Sequence, residues 1–336
     1  MELTRTQCHS IKGFAILLIV IHNFVDHLLG IQCNEMAYRQ ENTDAFLAGV
    51  ASRDAVWQVL GFAGWIGVAL FLFVSGYGLT RKYGDGPLRA GVFVKSHAVK
   101  LWRLLVPVYL LYFVLYHYVF MQDHNWPSAV AQLTFTINLL DYGDNRFLTE
   151  PGVYWFFGAI MQCYLLWLAI RRLDGKWLWA IAIASLVINY VTIYALSADA
   201  SWWVRQNAIG WLAPFVLGML AARSRWSPSR RVLALVCPLA FAALAAALTV
   251  KALALLTEIF TILAFVGLTS LYRGRLMARV GVISASLFVI HPLVRMICYN
   301  TMTGCTWPTW ALVGLYLVAV FALSCLFSKI RSVFSF

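Results

Sequence analysis

The sequence predicts an all-α, polytopic membrane helix bundle of about ten transmembrane helices, a single domain over residues 1–336 with both termini cytoplasmic. Three observations carry this. Of 336 residues, 62% are hydrophobic and 12% charged, against about 25% charged in soluble domains. Ten apolar runs approach the roughly 20 residues that a helix needs to cross a bilayer core. Basic residues also sort by side once those runs are taken as spans.

The runs are Gly13–Gly30, Trp57–Thr80, Leu101–Phe120, Val153–Ile170, Trp177–Leu196, Gln206–Ala222, Val232–Val250, Ala252–Tyr272, Val280–Tyr299 and Trp310–Phe327. One side then holds twenty of the 26 basic residues. These are Arg5 and Lys12; Arg81, Lys82, Arg89, Lys95, Lys100 and Arg103; Arg171, Arg172 and Lys176; Arg223, Arg225, Arg230 and Arg231; Arg273, Arg275 and Arg279; Lys329 and Arg331. Arg39, Arg53, Arg146, Arg205 and Lys251 fall on the other side, and Arg295 within a span. Such an excess marks the cytoplasmic face of a cell (inner or plasma) membrane. The net charge of +12 therefore reports topology, and no nucleic-acid partner is expected. The first run is too long for a cleaved signal peptide and lacks a small-residue cleavage site, so it stays as a span.

That first span holds Lys12 near its entrance and His22 part-way across, roughly 15 Å apart on helical rise. Ionisable groups at mid-membrane depth are costly and mark cavities or sites. Asp26 follows His22 by four residues, on the same helix face, and could orient the imidazole. His27, one residue on, is the alternative bearer of the same role. The outer loop 31–55, with Glu35, Glu41, Asp44 and Asp54, reads as a solvated connector with short local structure that faces an acceptor.

In the second span, Gly61, Gly64 and Gly67 suit close helix packing. Ser75 and Gly76 could offer backbone groups to a ligand, although packing alone explains the glycines and is the favoured reading. Residues 81–103 form a basic cytoplasmic loop suited to the phosphates of a coenzyme or to lipid headgroups. The second outer loop carries Asp123, His124, Asp141, Asp144, Arg146 and Glu150, with a short interfacial segment from Thr134. Trp126, Tyr154 and Trp155 fit an aromatic belt. Gln162 lies in the fourth span. Trp202, Trp203 and Trp211 read as interface anchors, with carbohydrate stacking as a second use. Glu258 is a lone carboxylate in the eighth span. In the ninth, His291 lies at mid-depth, Pro292 is expected to release a carbonyl and kink the helix, and Arg295 follows one turn later.

Seven cysteines form no disulfide framework; only Cys33 and Cys305 share the outer side, where a bridge is chemically permitted. There is no HExxH, CxxC, P-loop or GxSxG, and His22 with Asp26 alone is a weak metal motif. Polytopic transport remains the rival reading at this level, without the internal repeats many transporters show.

Four stretches, in order, resemble the integral-membrane acyltransferase 3 family, whose members acylate sugars and cell-envelope polymers. They are Lys12 to His22; Gly67-Val-Ala-Leu-Phe-Leu-Phe-Val-Ser75-Gly76; Lys100, Arg103, Pro107 and Tyr109; and Ser286-Leu-Phe-Val-Ile-His291-Pro292. Two departures stand out. Nine residues separate Lys12 from His22 where the family has ten, and the segment Trp155 to Tyr164 carries Ile160 where the family has glutamate. The resemblance implies transfer of an acyl group, often acetyl, from cytoplasmic acyl-CoA to a hydroxyl of a glycan or lipid-linked saccharide, with no permanently bound cofactor. It implies His22 as general base or acyl relay, supported by Asp26. Lys12, Ser75, Arg81, Lys82 and Arg103 would hold the donor. His291 and Arg295 would shape the pocket or stabilise an oxyanion, and His27, Gln162, Tyr164 and Glu258 complete the candidates around the acceptor.

Overall fold

The first helix, α1 (Arg5–Leu29), is the axis of the molecule, and its ends are written in its sequence. Thr4 accepts from the Gln7 amide at 3.2 Å while Gln7 Oε1 accepts from the Thr4 amide at 2.8 Å, a reciprocal cap that satisfies two orphan donors. Gly30 closes the far end in the left-handed region at φ 64°, where glycine carries no Cβ penalty. α1 packs against α3 (Ala55–Ala63), α4 (Gly67–Tyr83), α14 (Arg275–Val282) and α15 (Ser284–Thr301).

The computed structural model describes residues 2–122, 126–140, 150–195, 197–225, 228–272, 274–302 and 305–333. Asp123, His124, Asp141, Asp144, Arg146 and Arg273 lie outside them. The remaining helices are α2 (Gln40–Val50), α5 (Ala90–Val114), α6 (Trp126–Leu133), α7 (Ile137–Leu140), α8 (Trp155–Ile170), α9 (Gly175–Ala195), α10 (Ala198–Gln206), α11 (Leu212–Arg223), α12 (Arg230–Thr249), α13 (Thr257–Leu271) and α16 (Thr309–Val333). Among the described residues there is no strand.

Among the described residues, eight helical segments are long and apolar enough to span a membrane, and a ninth forms if α14 and α15, bent by 69° at their junction, count as one. The expected tenth span, near Gln206–Ala222, is a shorter apolar segment, Ala208–Arg223. The bend of the ninth falls at Ile283, while helix α15 continues through Pro292. Most of the expected basic loop 81–103 is also helix, because α5 starts at Ala90.

Glycines set the closest helix approaches. A Cβ at Gly76 would collide with the Phe215 carbonyl, and one at Gly218 with the Phe73 carbonyl, so α4 and α11 touch backbone to backbone. Small residues permit this packing where lipid supplies little driving force between helices. Gly76 is thereby committed to packing. Tyr154, Trp155 and Trp211 are buried in the core instead of forming a belt. The Tyr154 hydroxyl donates to Val289 O at 2.6 Å, and the Trp155 and Trp211 rings stack at 5.9 Å. Cys33 and Cys305 are free thiols.

Candidate active site

His22 is 4% exposed on α1, and its ring is oriented by a neighbour 39 residues on. Nδ1 lies 2.6 Å from the Gly61 carbonyl, just before the helix tightens into a 3₁₀ turn at Gly64–Ile66. A carbonyl only accepts, so Nδ1 carries the proton, and in the neutral imidazole Nε2 keeps the lone pair. Gly64 makes this approach possible: a Cβ there would sit 2.5 Å from both His22 Cβ and the Leu18 carbonyl.

Two carboxylates face Nε2. Glu35 Oε2 is 3.8 Å away and Asp26 Oδ2 4.0 Å. These are charge neighbours beyond hydrogen-bond length. Asp26 comes from the next turn of α1, as its spacing predicts. Glu35 arrives because Gly30 turns the chain back over the helix end. The backbone beyond Gly30 is pinned: Asn42 Nδ2 donates to Cys33 O at 3.0 Å, and Arg205 Nε to Glu35 O at 3.0 Å. Arg205 also donates to Glu258 Oε1 at 2.6 Å and lies 3.7 Å over the Trp211 ring. Glu258 thus neutralises the arginine that holds the Glu35 backbone, and sits outside the cavity that His22 faces.

That cavity, called outer after the side on which the sequence is expected to place it, measures about 570 Å³. Tyr112, Tyr116, Trp202 and Tyr299 give it aromatic walls, and Arg39 and Arg295 bring positive charge. His27 and Asp26 also line it; His27 is exposed and stacks on Tyr299 at 4.0 Å. Arg295 Nη1 donates to Asn23 O at 3.1 Å, which ties α15 to α1. Aromatic faces with scattered polar groups suit a concave site for a polar ligand.

A second, inner cavity of about 180 Å³ is lined by Lys12, Ser75 and Tyr164 together with Ile160, Phe156 and Phe288. Three residues assigned to donor or pocket are thus brought together. Others are elsewhere: Arg81 pairs with Glu2 at 2.7 Å, Lys82 lies 4.8 Å over the Tyr83 ring, and Arg103 is exposed. Gln162 is occupied in bracing, donating to Asn207 Oδ1 at 2.8 Å and accepting from the Ala208 amide at 2.9 Å.

His291 is fully buried and lines neither cavity. Proline 292 has no N–H, so the helix cannot use the Phe288 carbonyl, and His291 Nδ1 lies 2.8 Å from that oxygen. The released carbonyl is real, and the histidine beside it consumes it. Nε2 then bears a lone pair, has no hydrogen-bond partner among the described residues, and in this tautomer cannot donate to an oxyanion.

A family model described as an acyltransferase domain, acyltransferase 3, matches residues 9–329. The chain belongs to the acyltransferase 3 family. Comparison with curated proteins and with solved structures returned no match. The family makes this multi-pass membrane protein an acyltransferase and decides against the transport reading of its frame. The sequence places Glu35 in a solvated loop, offers Cys33 only as a disulfide candidate, and does not single out the three tyrosines of the outer cavity. The available signal for Glu35 was its position five residues after Gly30, a helix-ending glycine that reverses the chain.

Proposed function

We propose that this acyltransferase moves a short acyl group, acetyl first, from acyl-CoA on the cytoplasmic side to a hydroxyl of a glycan or lipid-linked saccharide held in the outer cavity. The observation that carries the reading is the fixed tautomer of His22, with Nδ1 bonded to Gly61 O at 2.6 Å and Nε2 beside Glu35 and Asp26. Nε2 takes the hydroxyl proton as the oxygen attacks the thioester carbonyl. The C–O bond forms, the tetrahedral intermediate expels the CoA thiolate, and the imidazolium returns its proton to that sulfur or to solvent. The two carboxylates stabilise the transient imidazolium without needing to accept the proton themselves.

The aromatic walls support a saccharide, whose apolar ring faces stack on tyrosine and tryptophan while its hydroxyls bond polar neighbours. The inner cavity, with Lys12 beside Ser75 and Tyr164, supports entry of the donor from the opposite side. The positive-inside asymmetry supports cytoplasmic termini and a plasma-membrane location. Exposed Cys305 should then react with a membrane-impermeant maleimide in intact cells.

Mass spectrometry of surface glycans from cells carrying the wild type or His22→Ala, at matched membrane abundance, tests the reading. Loss of an acetyl-sized increment in the mutant supports it. Unchanged glycans from an abundant mutant shift the base to His27 or remove the acceptor class.

A further inference from the structure

His22, Cys33 and Glu35 bring three different ligand types together. We propose that His22, Cys33 and Glu35 form a binding site for a thiophilic divalent cation, Zn²⁺ above all, and that the bound ion shuts off acyl transfer. The second clause rests on the assignment of His22 as base.

One ligand atom from each residue, an imidazole nitrogen, the thiol sulfur and a carboxylate oxygen, lie within 4.8 Å of one another. Zinc bonds of about 2.0–2.3 Å put tetrahedral ligands roughly 3.3–3.8 Å apart. The cluster must therefore contract by about 1 Å, a movement that side-chain rotation of Cys33 and Glu35 supplies. The surroundings already resemble an outer shell. A metal-binding histidine characteristically donates its other ring N–H to a carbonyl or carboxylate, and His22 Nδ1 is so bonded to Gly61 O. The carbonyls of Cys33 and Glu35 are held by Asn42 and Arg205, so both ligand-bearing backbones are fixed. Asp26 Oδ2, 4.0 Å from Nε2, is the available fourth ligand or water anchor, and all four residues line the outer cavity, which gives the ion a way in.

Ligand chemistry selects the ion. A thiolate with an imidazole and a carboxylate favours zinc over Mg²⁺ or Ca²⁺, which prefer oxygen alone. Binding forms the metal–sulfur bond, and the thiol proton leaves to solvent. The ion also occupies the Nε2 lone pair, which can then no longer accept a proton from a hydroxyl.

The test is a Co²⁺ titration of the detergent-purified full chain, read by thiolate-to-cobalt charge-transfer absorption, with Zn²⁺ as competitor. The band should appear in the wild type and in Cys305→Ser, and vanish in Cys33→Ser. In that variant Zn²⁺ binding should weaken by more than about 100-fold, beyond what losing an outer-shell partner does. Glu35→Gln, which keeps every thiol, should weaken it as well, so a misfolded Cys33→Ser would not decide the matter. No band, or a band indifferent to Cys33→Ser and Glu35→Gln, overturns the site. Labelled acetyl transfer by membranes with Zn²⁺ and then chelator separates the two readings. Reversible inhibition supports both, whereas an ion bound as described that leaves transfer untouched upholds the site and overturns His22 as base.

Discussion

The outer and inner cavities share three helices, α1, α5 and α15, and almost nothing else. On α1, Lys12 lines the inner cavity and His22, Asp26 and His27 the outer; on α5, Leu101 and Leu104 face the inner cavity and Tyr112 the outer; on α15, Ser284 and Phe288 face the inner cavity and Arg295 and Tyr299 the outer. The outer one is about three times larger and holds the carboxylates, the arginines and most of the tyrosines. The inner one is small, and phenylalanine and isoleucine side chains surround its few polar groups. A proton-transfer step needs the polar environment, whereas a narrow apolar wall is suited to measuring the size of an acyl group. Chemistry and selectivity are thus expected at opposite ends of the same three helices.

The comparison breaks most visibly at His22. His22→Ala should lower acyl transfer by about 10²- to 10⁴-fold, the usual worth of a positioned general base, with little loss of protein from the membrane. Transfer of labelled acetyl from acetyl-CoA, normalised to abundance, measures it. A fall of less than tenfold would mean that the outer cavity binds but does not perform the chemistry.

Next comes the clamp behind the outer cavity. Arg205 and Glu258 are both about 95% buried at the side chain, and removing one partner of such a pair leaves an uncompensated charge that costs about 3–5 kcal/mol. Glu258→Ala should lower the melting temperature of the solubilised protein sharply. Because Arg205 also holds the Glu35 carbonyl, activity should fall even at temperatures where the variant is folded. A stability loss with activity fully retained would detach the clamp from the site.

Glu35→Gln sharpens the outer cavity itself. Its carboxylate is 3.8 Å from Nε2, a charge neighbour and not a hydrogen-bond partner. Its loss should therefore cost about ten- to a hundredfold in kcat, less than the ~10⁴ observed where a carboxylate directly bonds a catalytic imidazole. Parallel assays of Asp26→Asn, 4.0 Å away, should show a similar or smaller loss. If Asp26→Asn proves the more damaging, the turn of α1 and not the returning loop supports the base.

What was legible in the sequence followed local rules. The bundle and the His22–Asp26 pairing depend on periodicity and residues within one or two turns, and the structure has both. The Phe288 carbonyl released by Pro292 was equally predictable, because a proline removes a named hydrogen bond. Long-range placement was hidden. Nothing near Glu35 or Arg205 in sequence says that they meet across 170 residues, or that Glu258 closes the same chain of contacts. Trp155 and Trp211 read as interfacial because a tryptophan near a span end usually is; burial against Arg205 and each other overrode that tendency. His22 and His291 looked equivalent at similar depth, and only tertiary packing opens a cavity beside one and seals the other.

The smallest effect tests the inner cavity. Ile160 is 3% exposed and lines it, at the position where the resemblance led one to expect a glutamate. An apolar wall distinguishes one methylene by about 1–3 kcal/mol. Ile160→Val removes one methylene, at a stability cost of about 0.5–1.5 kcal/mol, so the fold should survive. If the acyl group rests here, the ratio of propionyl to acetyl transfer in competition assays should rise by about tenfold, while transfer of acetyl changes little. A ratio that stays constant while Tyr112→Phe or Tyr116→Phe alters it would move acyl selection to the outer cavity. The division of labour between the two cavities would then collapse, leaving the inner one a passage and the outer one the whole site.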